Sequence, residues 1–294
     1  MRLQRGVGFS REICVRALGV VAAVAAVSAS SAPVAHAQIT LTGSGPYVYT
    51  QNFDSLGTGN QAWTDNSTLQ GWYLGTSLGT QSFNLAANNG NSGAENFYNF
   101  GSGSSVNGNG DRALGSIAGN VAESRYYALQ FFNNTGADLA SFTINFTLEQ
   151  WRGTTNVNPG GLLVQYKVAS DATNQTTLGG YQDAGFVQTP RFNFASDTAL
   201  DGNLAINQAA GSFTINQTVA NGEYIWVRWT DNNEALNDNA LGIDGVTASF
   251  QPVPAPPALV ALMIGSLVGS VQFGRTKLRR QRSTQRKADE APSA

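Results

Sequence analysis

The stretch "SFTINFTLEQW", residues 141–151, alternates strictly. Phe142, Ile144, Phe146 and Leu148 fall on one face, and Thr143, Asn145, Thr147 and Glu149 on the other. Successive side chains of a strand point to opposite faces, so a period of two puts one face into a core and leaves the other polar. The stretch predicts a long antiparallel strand with one buried face. Upstream, "RYYALQFF" (125–132) reads as a second strand, and the intervening "NNTGAD" is rich in turn formers. Downstream, "LLVQYKV" (162–168), "EYIWVRW" (223–229) and a closing "LGIDGVTASF" (241–250) follow the same pattern. Shorter candidates are residues 47–53, 71–74, 96–100, 112–117 and 211–219. About ten short strands between Gly/Asn loops predict an all-β fold, a jelly-roll-like antiparallel β-sandwich. A β-helix would need an internal repeat, and there is none. Residues 202–210 fit either a short helix or an ordered loop. Residues 84–110 are nearly all Gly, Asn and Ser outside Phe97–Phe100, which predicts a mobile surface excursion.

The ends of the chain differ from this core. Arg2, Arg5, Arg11 and Arg16 precede an apolar run at 17–27, and Ala35-His36-Ala37 follows. These are the three parts of a secretory signal peptide, residues 1–37, cut by signal peptidase between Ala37 and Gln38. Cys14 and His36 are the only cysteine and histidine, and both precede the cut. The mature domain, 38–251, therefore has no disulfide, no Cys–His or Ser–His–Asp catalysis and no His/Cys zinc site. It carries six basic residues against sixteen acidic ones, a net of ten negative charges. Phosphate contacts need Lys and Arg, so nucleic acid is excluded as a partner and cations or neutral polymers are favoured.

The densest polar cluster is "TDNNEALNDNALGIDG", 230–245, with Asp231, Glu234, Asp238 and Asp244. Such a loop offers oxygen ligands to calcium, although its spacing is not that of an EF-hand. It also fits a solvated hairpin loop. By analogy with jelly-roll modules, in which calcium ties the first strand region to the last, Asp54 and Asp244 would share one ion. In "EYIWVRW", Ile225, Val227 and Trp229 form the more apolar face, which places Trp229 in the core. Trp226 and Arg228 are then surface candidates for ligand stacking or a cation–π pair. Trp151 lies on the polar face of its strand beside Glu149. If the faces align, Glu149, Trp151, Trp226 and Arg228 line one surface. A hydrolase would need two carboxylates, with Glu149, Glu223 and Glu234 near strand ends, but no local pattern singles out a pair.

The C-terminal region has three parts. Residues 252–257 hold Pro252, Pro254, Pro256 and Pro257; 258–274 are an apolar span; 275–294 are a tail with Arg275, Lys277, Arg279, Arg280 and Arg282. The span is at or just below the minimum length for a transmembrane helix, and the basic tail would keep that end cytoplasmic. This order resembles the PEP-CTERM sorting signal of bacterial exported proteins. Its motif reads Val253-Pro254-Ala255-Pro256, with Ala255 where the family most often has Glu. The resemblance implies an inner-membrane precursor cut near the prolines by an exosortase-type enzyme, then held at the cell surface or in the extracellular matrix. The segments "WTDNSTLQGWY" (63–73), "DRALGSIAG" (111–119), "LEQWRG" (148–153) and "LGIDGV" (241–246) resemble a β-sandwich module of secreted bacterial proteins. Together these readings predict a non-catalytic structural or adhesive protein associated with exopolysaccharide. A carbohydrate-binding module, calcium-stabilised, is the alternative, and a polysaccharide hydrolase the third.

Overall fold

The computed structural model describes residues 38–254 apart from 80–81, 102–109, 121–122 and 235. The leader with Ala35 and Ala37, the motif residues Ala255 and Pro256, the apolar span and the basic tail lie outside the described residues. Among the described residues no helix is long and apolar enough to cross a membrane.

The alternating stretch becomes the longest strand, β9 (Leu139–Gly153). Phe142, Ile144, Phe146 and Leu148 are all buried, as the period of two requires. Beside it runs β15 (Ala240–Pro252), antiparallel along its length. The far edge of β9 carries β12 (Thr198–Ala199) and β13 (Gln208–Ile215). On the far edge of β15, β2 (Tyr47–Gln51) and β7 (Ala113–Ile117) follow end to end. Then come β6 (Asn96–Phe100), β5 (Asn84–Asn88) and β3 (Gln61–Ala62), completing a nine-stranded sheet.

In the second, six-stranded sheet, β14 (Tyr224–Asn232) lies between β8 (Ser124–Asn134) and β10 (Gly161–Ala169). Beyond β10 is β11 (Gln182–Gln188), while β1 (Ile39–Thr42) and β4 (Trp72–Thr76) share the far edge of β8. Ladders are antiparallel except β1–β8 and β5–β6, which are parallel. Alternation reveals a strand but not its direction, so the sequence could not separate these two.

The sheets face each other across one core, a sandwich-like arrangement. At its centre Trp229 stacks on Trp72, ring centroids 5.6 Å apart, and meets Phe146 edge-on at 5.5 Å. Each sheet also has a smaller core on its outer face. One joins Tyr98, Phe100 and Trp151, and the other Tyr73, Ala128 and Trp226. Gly115 and Gly242 face each other where β7 meets β15, and a Cβ on Gly115 would lie 2.1 Å from the Leu241 carbonyl oxygen. Gly115→Ala is expected to cost about 1–3 kcal/mol through overpacking, read as a lowered Tm. An unchanged Tm would show that the ladder adapts.

One expectation is corrected and one open segment is decided. Residues 84–88 form a strand rather than an excursion, with Leu85 buried and Asn88 accepting from the Gly90 and Ser92 amides. Asn side chains that bond the local backbone can be buried, so polar composition misled. The ambiguous 202–210 segment is a single 3-10 turn, Ala205–Asn207, running straight into β13.

Candidate functional site

The loop that joins β14 to β15, flagged in the sequence as the densest polar cluster, lines a cleft of about 170 Å³. It supplies Asn233, Leu236, Asn237 and Asp238. The opposite wall comes from Gly93 and Glu95 ahead of β6, Ile117–Asn120 at the end of β7, Arg152 near the end of β9 and Asp197 ahead of β12. Antiparallel pairing of β15 with both β7 and β9 brings these strand ends together at one end of the nine-stranded sheet.

Arg152 organises the wall. It pairs with Asp197 at 3.5 Å, the only ion pair among the described residues, and donates to the Gly90 carbonyl at 3.2 Å. Asp197 Oδ2 also accepts from Asn237 Nδ2 at 2.8 Å. The loop is tied internally: Asp238 accepts from the Glu234 backbone amide at 2.6 Å, and Glu234 from Asn239 Nδ2 at 3.3 Å. Burial, then the neighbouring Asp238 charge, pushes the Glu234 carboxyl up to about 7. Burial, then Glu95, pushes Asp238 up to about 6. Leu236 projects from the rim, 74% exposed, with a backbone φ of 75°. The strand-end residues Glu95, Asn120, Arg152 and Asp197 escaped the sequence reading. They are spread over four segments, and only the scarcity of arginine in this domain marked Arg152.

The four candidate metal ligands do not form one site. Asp231 is fully buried in β14, accepts from Ser116 Oγ at 2.5 Å, and is driven well above its ordinary value by burial. Asp238 belongs to the cleft. Asp54, just past β2, and Asp244 in β15 lie near enough for their charges to interact. Asp54 accepts from the Arg112 amide at 3.1 Å, and Asp244 is raised to about 7 by burial and by the charges of Asp111 and Asp54. Among the described residues no group of three or more His, Cys, Asp or Glu is disposed to hold a metal ion.

The candidate stacking residues are also corrected. Trp151 and Trp226 are each 0% exposed, and Arg228 is buried. Trp151 and Glu149 lie on the outer face of the nine-stranded sheet, and Trp226 and Arg228 on that of the six-stranded sheet, so they share no surface. Trp151 is covered by the segment around Gly202, where a Cβ would sit 2.4 Å from the indole, and it stacks on Phe100 at 5.6 Å. Arg228 makes its cation–π contacts with Tyr181 at 3.8 Å and Tyr126 at 4.5 Å rather than with Trp226. Trp229 is buried as expected. Two of the carboxylates considered for hydrolysis are far apart. Glu223 and Glu234 flank opposite ends of β14, roughly 30 Å apart at about 3.3 Å per residue, against the ~5–9.5 Å that glycosidase pairs need.

What the fold and cleft define is an all-β, sandwich-like domain with a polar recess at one end. No family model matches the chain, and no curated protein matches it. Among solved structures, the K3 cleaved adhesin domain of Lys-gingipain from Porphyromonas gingivalis is similar at 12% identity and a TM-score of 0.36, covering 63% of this chain and 96% of that one. TmCBM61 in complex with β-1,4-galactotriose is similar at 10% identity and 0.28, covering 60% and 86%. The CBM22-1 xylan-binding domain of Paenibacillus barcinonensis Xyn10C is similar at 9% identity and 0.31, covering 71% and 97%. These scores are low, and none of the three assigns a family or a ligand to this chain.

Proposed function

We propose that the sandwich is a non-catalytic glycan-binding domain of an exported surface protein, and that the end cleft holds one sugar ring of a neutral polymer. The observation that supports this is the lining. Amides of Asn120 and Asn237, carboxylates of Asp197 and Asp238, and the Arg152 guanidinium alternate donors with acceptors, and Leu236 adds one exposed apolar contact. Sugars present that same mixture of hydroxyl donors and acceptors on an apolar ring face. The volume compares with cavities of roughly 150 Å³ that accept a six-membered ring. The net negative charge of the domain suits a neutral glycan better than an anionic one. Export by the leader, and release or attachment through processing at the Val253-Pro254-Ala255-Pro256 motif, complete the proposal. Val253 is exposed just past β15, where an enzyme can reach it.

The test is binding of cellohexaose, xylohexaose and β-1,4-galactan by calorimetry. Asn237→Ala with Leu236→Asp is expected to weaken binding at least tenfold while Tm stays within ~2 °C, because both side chains are exposed. Absence of binding by the unaltered protein, or binding indifferent to the double substitution, would overturn the cleft reading.

A further inference from the structure

The outer face of the six-stranded sheet is not open. The connection from β10 to β11, residues 170–181, crosses it as a strap. Lys167 holds the strap through the Gln175 side chain at 2.7 Å and the Gly179 carbonyl at 2.8 Å. Arg228 holds it through the Thr176 carbonyl at 2.9 Å, and Asp65 holds Asn174 at 3.1 Å. The strap offers the sheet almost no apolar surface apart from Tyr181. Its one large aliphatic side chain, Leu178, is 45% exposed, and what it turns inward are Gln175 and the threonine methyls. A cover held by a few polar contacts and little apolar burial opens at far lower cost than the domain unfolds.

Beneath the strap lies an aromatic surface with unsatisfied polar edges. Tyr73 and Trp226 pack with ring centroids 4.8 Å apart, and Tyr181 packs against the same cluster and over Arg228. Gln130 is the cross-strand partner of Trp226, and its Oε1 accepts from Tyr73. Four buried polar atoms here have no hydrogen-bond partner: Gln130 Nε2, Trp226 Nε1, Tyr181 Oη and Thr176 Oγ1. Buried polar groups are nearly always paired, and each one left unpaired costs about 1–3 kcal/mol. Tyr181 Oη and Thr176 Oγ1 belong to the strap and gain water when it lifts, whereas Gln130 Nε2 and Trp226 Nε1 stay on the sheet, short of hydrogen bonds that a hydroxylated ligand would supply.

We propose that this face is a second glycan site, in which a neutral sugar ring stacks on Trp226 and Tyr73 and its hydroxyls engage Gln130, Trp226 and Arg228 after the strap lifts. It rests on the glycan-binding reading above but on different residues. Gln165 already binds Arg228 at 2.6 and 3.1 Å, so the guanidinium stays oriented when Thr176 leaves it.

A disulfide tests this. An added Cβ on Gly75 lies 3.7 Å from Thr176 Cβ, within the ~3.5–4.5 Å a disulfide spans, and the Thr177 methyl, 2.6 Å from that Cβ, is removed by Thr177→Ser in the same chain. Gly75→Cys with Thr176→Cys in a Cys14→Ser chain would lock the strap when oxidised. In calorimetry with the same three glycans, one of the two binding events is expected to weaken at least tenfold on oxidation and to return on reduction while the cleft event persists, with the reduced form as its own folding control. Binding lost with the cleft substitutions but indifferent to the lock would overturn this site and leave the cleft reading intact; the reverse pattern would do the opposite; no binding by the unaltered chain would overturn both. Thr176→Cys alone, in the Cys14→Ser chain, is the second readout. Its thiol is expected to react with maleimide far faster than global unfolding allows, and faster still with glycan present. Reaction only on global unfolding would overturn the strap.

Discussion

Raising the pH from 5 to 9 is expected to lower the Tm of this protein by roughly 10 °C or more, the largest single contribution coming from Glu149. That side chain is 2% exposed on the outer face of the nine-stranded sheet, against Trp151. Burial, then the charges of Asp244 and Asp111, pushes its carboxyl up to about 8 from an ordinary 4.5. The folded protein therefore keeps a proton that the unfolded chain releases. Between about pH 4.5 and 8 the native state binds more protons, so stability falls as pH rises and levels off above 8. A displacement of that size corresponds to a loss on the order of 4–5 kcal/mol, and about 2–4 °C of Tm follows each kcal/mol in a domain of this length. Glu234 and Asp244, each raised to about 7, and Asp238, raised to about 6, act in the same direction. Glu149→Gln is expected to flatten the alkaline loss, with Gln208 turning its amide to match, while leaving Tm at pH 5 nearly unchanged. A Tm that rises from pH 5 to 8, or an alkaline loss untouched by Glu149→Gln, would refute the assignment. Among the described residues Asp54 and Asp244 belong to no group of three His, Cys, Asp or Glu disposed to hold a metal, so EDTA is expected to leave Tm unchanged, and a Tm lowered by EDTA would restore the divalent-cation reading.

Trp229→Ala is expected to be the most damaging single core substitution, costing about 3–5 kcal/mol at every pH. Trp229 is fully buried where the two sheets meet, stacked on Trp72 and edge-on to Phe146. Its removal opens a cavity against both sheets that rigid strands cannot collapse to fill. Trp229→Phe keeps most of the area and is expected to cost roughly half as much. A loss below ~1 kcal/mol for the alanine variant would mean that the sheets close over the gap.

How legible all this was depended on the length of the segment concerned. β9 and β15 run for fifteen and thirteen residues, long enough for alternation to declare both strand and buried face. Edge segments such as β3 and β12, two residues each, carry no period at all. β11, "QDAGFVQ", has its glycine and aspartate within the strand and reads as loop. For the sites, periodicity assigned Trp151 and Trp226 to the faces turned away from the main core, and that assignment holds. What it could not tell is whether a loop covers those faces. The cover comes from residues 200–202 over Trp151 and from 174–181 over Trp226 and Arg228, distant in sequence from the strands they shield.

The amino-acid sequence by itself determined the strand-rich architecture, the burial of Trp229 and the absence of cysteine and histidine from the domain, because each follows from local period or from composition. Only the tertiary structure decided that Arg152, Asp197 and Asn237 meet in one cleft, that the charges of Asp54 and Asp244 interact while Asp231 and Asp238 stand elsewhere, and that two tryptophans with outward-facing positions are buried. Those facts depend on which strand ends share one end of a sheet and which loops fold back over a face. Both are set by long-range pairing, which leaves no period in the sequence.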